Sequence, residues 1–67
     1  MNWDTVEGNW KEFKGRVREQ WGRLTHDEVD VIGGRRDKLV GKLQEHYGFS
    51  KDVADKKLAE WEARQRH

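Results

Sequence analysis

A chain of 67 residues holds one small domain. Its formal net charge of +1 gives no global attraction to nucleic acid or to an acidic membrane surface. Hydrophobic residues make up 33% and charged residues 40%, close to the composition of disordered chains, but weak self-repulsion and four tryptophans favour a folded domain with a thin aromatic core. The absence of cysteine removes a disulfide framework, a thiolate nucleophile and a cysteine metal site, in keeping with a cytoplasmic protein. The apolar run that a signal peptide needs does not follow Met1, and no stretch approaches the length of a membrane span.

Asp4 is a candidate N-cap for the first element. From there Trp3, Val6, Trp10, Phe13, Val17, Trp21 and Leu24 recur at spacings of three and four, which places them on one helical stripe about 80° wide. Glu7–Lys11, Glu12–Arg16 and Glu19–Arg23 face outward as i,i+4 pairs. The pattern predicts one amphipathic helix over residues 5–21, stopped by Gly22. Thr25 and Glu28 form a capping box for a second, short helix, with Leu24 and Val29 placed as a hydrophobic staple and Asp27 and Glu28 at the favourable end of the dipole. That helix stops at Gly33 and Gly34.

A third helix is predicted over residues 35–47, burying Leu39, Val40, Leu43 and Tyr47, and Gly48 ends it. Phe49 and Ser50 then repeat the apolar and hydroxyl pair of Leu24 and Thr25. The fourth helix, residues 51–64, presents Val53, Ala54, Leu58 and Trp61, with Asp52–Lys56 and Glu60–Arg64 as supporting pairs. Residues 65–67, including His67, are expected to fray.

The chain also repeats itself. Residues 15–22 reappear at a constant offset as residues 41–48, pairing Gly15 with Gly41, Arg16 with Lys42, Val17 with Leu43, Glu19 with Glu45, Trp21 with Tyr47 and Gly22 with Gly48. Gly8 matches Gly34, and Phe13 matches Leu39. The expected fold is therefore all-α: four short helices forming two pseudo-repeated α-hairpins, residues 5–33 and 34–65. Short turns make consecutive helices neighbours, and short unequal helices favour a roughly orthogonal packing of the hairpins.

The residues Asn2, Asp4, Gly8 to Lys11, Phe13 to Gly15, Trp21, Gly22, Leu24 and Thr25, continued by Arg36, Asp37, Leu39 to Lys42, Tyr47 and Gly48, resemble the CsbD family of small bacterial proteins over nearly the whole chain. The resemblance implies a SAM-domain-like arrangement and an association with general stress responses. It brings no catalytic, metal or cofactor residues with it. Gly33 departs from the pattern, which has an acidic residue there, and is expected to loosen the end of the second helix.

Several features invite a functional reading beside a plainer one. Gly15 and Gly41 lie about 150° from the centre of the apolar stripe, so they face outward inside helices. They read either as tolerated weak positions or as a strip for a protein partner or for weak self-association. Gly48, with Phe49, Ser50 and Lys51, resembles half of a helix–hairpin–helix turn, in which backbone N–H groups meet a phosphate. Arg35 and Arg36 oppose the dipole of the helix they start, and with Arg16, Lys38 and Lys42 they define a basic edge. A nucleic-acid-binding module is the alternative reading of that edge, and a solvated mixed-charge face is the plainer one. Trp3 and Trp10 offer base stacking, but as members of the stripe they are more simply core, Trp3 being the one most open to solvent. His26, His46 and His67 lack metal-ligand spacing, and His46 is expected at the surface. No catalytic constellation or cofactor motif is present in the sequence, and no basic amphipathic face suits a membrane.

Overall fold

The computed structural model describes residues 1–65; Arg66 and His67, and with them the expected fraying of the chain end, lie outside the described residues. Among the described residues there are five helices and no strand: α1 (Trp3–Gly8), α2 (Trp10–Gln20), α3 (His26–Ile32), α4 (Arg36–Tyr47) and α5 (Lys51–Arg64). Each helix packs on the next in the chain.

The single helix predicted over residues 5–21 is two helices. The ladder is interrupted at Asn9, which sits at φ −118° and ψ 29°. The apolar periodicity runs through this point without a gap, so local pattern does not dictate the break. Tertiary contacts do. On the far side of Asn9, Val6 is fully buried, the Trp3 ring lies 6.4 Å from that of Trp61, and the α1 backbone at Glu7 lies against Gly34. The start differs too: Asn2, not Asp4, is the cap, its side chain accepting from the Asp4 N–H at 2.8 Å.

The other caps follow the residue chemistry. Thr25 and Glu28 exchange both hydrogen bonds of a capping box, and Ser50 accepts from the Val53 N–H. Gly48 closes α4 in the left-handed conformation at φ 70°. Its repeat partner Gly22 does not do the same. The α2 ladder ends at Trp21, whose N–H bonds to the Val17 carbonyl, and Gly22 has no positive φ. Gly33 does not loosen α3. At φ 59° it is the left-handed cap, with its N–H on the Val29 carbonyl, a position where an acidic side chain would be strained.

Among the described residues thirteen form one core cluster, drawn from all five helices and from the turn residues Trp21 and Leu24. Trp61 is the most deeply buried of its three tryptophans and lies with its ring 5.6 Å from that of Trp21 and 6.4 Å from that of Trp3. Trp3, Phe13, Tyr47 and Phe49 pack against it from the edge. Val53, expected to face inward, is 41% exposed instead. The neighbouring Ala54 takes the core position, because Ala54, Leu58 and Trp61 follow the three-and-four spacing and Val53 falls one residue out of phase with it.

The sequence repeat has a counterpart in the bonding. Trp10 donates its indole N–H to the Val29 carbonyl at 2.8 Å, tying α2 to α3. At the corresponding positions, Arg36 reaches Asp55 at 3.2 Å and ties α4 to α5. The same pair of positions links the two helices in each half, once through an indole and once through an ion pair.

Candidate functional site

The sequence-derived basic edge does not form a free cationic surface. Arg36 Nε lies 3.0 Å from Glu62 and its Nη1 lies 3.2 Å from Asp55. Burial works against its charge, but the two carboxylates outweigh that and raise its pKa. Glu62 also accepts from the Trp3 indole N–H at 2.7 Å, so α1, α4 and α5 meet on one carboxylate. Arg35 lies 3.7 Å from Glu7, Arg16 3.2 Å from Glu12, and Lys51 3.1 Å from Asp55. The Lys51 ammonium, and then Arg36, hold the Asp55 carboxyl below its usual range. Lys38 is exposed and has no ion pair among the described residues. Of the five i,i+4 pairs expected from sequence, Glu12–Arg16 is the one that closes; charges such as Glu7 and Arg64 turn instead to Arg35 and Gln20 on other parts of the fold.

Part of the edge is gathered at a groove of about 320 Å³ between α4 and α5, where Arg36, Gly41, Lys51 and Asp55 line the walls around Val40. Gly41 contributes the open side: a Cβ there would meet nothing within 4 Å, and the same is true of Gly15. Both glycines therefore face outward inside regular helices. Gly15→Ala and Gly41→Ala are each expected to stabilise the fold by about 0.5–1 kcal/mol through the lower backbone entropy of alanine in the unfolded chain. Thermal melts followed by circular dichroism check this, and a lower melting temperature for either variant would contradict the open geometry.

Gly48 does not offer its N–H to a phosphate, because that group bonds to the Gln44 carbonyl at 3.0 Å. Phe49 stacks on Tyr47 with centroids 5.4 Å apart and planes 14° from parallel. Arg23 also packs on the turn, its guanidinium 5.1 Å from the Tyr47 ring centroid and donating to the His46 carbonyl.

A second polar cluster was not legible in the sequence. Glu28 of α3 meets Lys42, Glu45 and His46 of α4. His46 Nε2 donates to Glu28 Oε2 at 2.6 Å, and Lys42 Nζ lies 3.5 Å from Glu28 and 3.2 Å from Glu45. His46 is thus half-buried between helices and not a plain surface residue, because the α3–α4 packing brings Glu28 over it. Glu28, Glu45 and His46 place one donor atom each within 4.8 Å of one another, a donor set of the kind that binds transition metals, but the Lys42 ammonium already supplies the positive charge there. No spacing signal announces such a set, since Glu28 lies in a different helix from His46. The capping box is the single local clue, as it fixes which way Glu28 points.

The Glu28 carboxyl is held down to about 2 from 4.5, first by the His46 hydrogen bond and then by the Thr25 N–H. A depressed folded-state pKa contributes stability above the unfolded value and loses it as the folded group protonates. The fold is therefore expected to lose stability as pH falls from 4.5 towards 2, and Glu28→Gln should be less stable at neutral pH while showing a flatter acid limb in that window. Urea titrations across the window test this; identical acid limbs for the two proteins would refute it.

These features define a small all-α domain whose polar side chains are engaged mainly in joining one helix to the next. The chain belongs to the CsbD-like family, whose model matches residues 4–56. It is 58% identical to the UPF0337 protein YjbJ of Escherichia coli K12 over 64 residues, which are 96% of this chain and 93% of that protein. YjbJ of Salmonella typhimurium is likewise 58% identical, with 96% and 91% covered. A UPF0337 protein of Rhodopseudomonas palustris is 61% identical over 61 residues, 91% of this chain and 92% of that one. No helix among the described residues is long and apolar enough to cross a membrane.

Proposed function

We propose that this protein serves a general stress response in the bacterial cytoplasm by binding or protecting a macromolecular partner, without catalysing a reaction. The observation that carries this reading is the family match, which spans most of the chain and is supported by relatives aligned almost end to end. The same reading takes residues 1–67 as one domain whose hairpins, residues 5–33 and 34–65, cross roughly at right angles in a SAM-like way. Gly15 and Gly41 are proposed as the strip that a protein partner or a second copy approaches most closely, since neither carries a side chain and both open to solvent.

Cross-linking and pull-down from stressed and unstressed cells tests the reading. A specific protein recovered under stress, and lost when Gly15 and Gly41 carry large side chains, supports it. Identical recoveries from the two conditions would remove it.

A second reading keeps one supporting observation: Arg36 and Lys51 line the same groove as Gly41, with the exposed Lys38 also on α4. With Arg35, Lys42 and the Gly48 turn they make up the contact set proposed for nucleic acid. Salt-dependent quenching of tryptophan fluorescence by short oligonucleotides, lost in the Arg35→Ala/Arg36→Ala variant, would favour this alternative. The carboxylates that neutralise these cations predict no binding even at low salt.

A further inference from the structure

Sequence pattern and tertiary packing point to different backbones over residues 3–9. The apolar stripe from Trp3 to Leu24 has unbroken helical spacing and specifies one continuous helix. The folded chain instead breaks at Asn9 and seats α1 on the rest of the domain. A local preference opposed by tertiary packing is the ingredient of a two-state element.

Several of the contacts that seat α1 can be named. The Trp3 ring lies against Trp61, and its indole N–H donates to Glu62 at 2.7 Å. Val6 is 1% exposed. The Glu7 backbone lies on Gly34, and the Glu7 carboxylate makes a solvent-exposed 3.7 Å pair with Arg35. Gly8, next to the break, is exposed, and nothing lies within 4 Å of a Cβ placed on it. Straightening also has local compensations. It restores the interrupted ladder, and it brings Glu7 within i,i+4 reach of Lys11 in place of Arg35.

We propose that α1 is a releasable strap: straightening at Gly8 and Asn9 lifts Trp3 and Val6 away and uncovers Trp61 and the Gly33–Gly34 turn while α2 to α5 stay folded. The released form presents an aromatic face that the seated form hides. The inference rests on the geometry of α1 alone and stands whether or not the stress-response reading holds.

Hydrogen exchange of the α1 backbone would miss the motion, because α1 stays helical in both forms. The absence of native cysteine allows a direct probe. Val6→Cys and Val17→Cys place single thiols at two buried valine positions, one on the strap and one on α2. Release predicts that the thiol of Val6→Cys reacts with a disulfide reagent at least about tenfold faster than that of Val17→Cys, as local opening is cheaper than global unfolding. Adding Asn9→Ala, which favours the continuous helix, should speed the Val6→Cys reaction further and leave Val17→Cys unchanged. Equal labelling rates at the two positions, or equal acceleration of both by Asn9→Ala, would overturn the proposal. Methyl relaxation dispersion on the unmodified chain guards against a cysteine variant that fails to fold. Exchange broadening at Val6 with none at Val17 is the expected result, and its absence at both overturns the strap.

Discussion

Trp61→Ala is expected to destabilise the fold by about 3–5 kcal/mol, the largest loss of any single substitution considered for this chain. The side chain is 2% exposed, the most deeply buried tryptophan of the core. Truncating a buried tryptophan costs about 3–5 kcal/mol, from lost transfer energy and the cavity left behind. A domain of this length has only about 3–10 kcal/mol of total stability. The loss therefore consumes much or all of what holds the fold. It also falls at a junction, because Trp61 joins α5 to Trp3 of α1 and to Trp21 at the end of α2. Trp61→Phe keeps an apolar ring and should retain a cooperative melt at lower temperature. Circular dichroism at 222 nm with urea titration separates the two. A Trp61→Ala protein that melts cooperatively within about 1 kcal/mol of the parent would show that the α5 contact is not what holds the aromatic cluster together.

The pattern of the chain carried most of the fold, and the failures share a cause. The capping box at Thr25, the cap at Ser50 and the stop at Gly48 are decided within a few residues of sequence, and each is present in the structure. Residues on the apolar faces of the helices, such as Val17, Leu43 and Leu58, are buried as their spacing requires. What was not legible depends on residues far apart in the chain. The break at Asn9 is imposed by contacts that α1 makes with Trp61 and Gly34. The capture of Arg36 depends on Asp55 and Glu62 across the α4–α5 packing. The same holds for the cluster of Glu28 with His46, which the helix spacing of either residue leaves invisible. For the candidate site, the outward position of Gly15 and Gly41 was readable from helical phase. The neutralisation of the basic edge was not, because the carboxylates responsible lie mostly on other helices.

Gly34→Ala is expected to be the most damaging of the glycine substitutions, and its size tests why α1 sits where it does. Gly34 is buried and adopts φ +88°, in the region that L residues rarely enter. An added Cβ would lie 2.6 Å from the Glu7 Cα, 3.1 Å from its N and 3.2 Å from its Cβ. Two of those atoms are backbone, so no side-chain rotation relieves the clash and α1 has to move. Left-handed strain of about 1–2 kcal/mol adds to the lost seating of α1, for a total of about 2–4 kcal/mol. The neighbouring Gly33 separates the two contributions. It also has positive φ, 59°, but its nearest neighbours lie at 3.7 and 3.8 Å, within ordinary contact. Gly33→Ala should thus show the strain alone, about 1–2 kcal/mol. If Gly34→Ala costs no more than Gly33→Ala, α1 yields without loss and its contact with the α3–α4 turn contributes nothing to stability. If Gly34→Ala costs more and also accelerates thiol labelling in the Val6→Cys background, the same glycine both admits the left-handed turn and seats the strap.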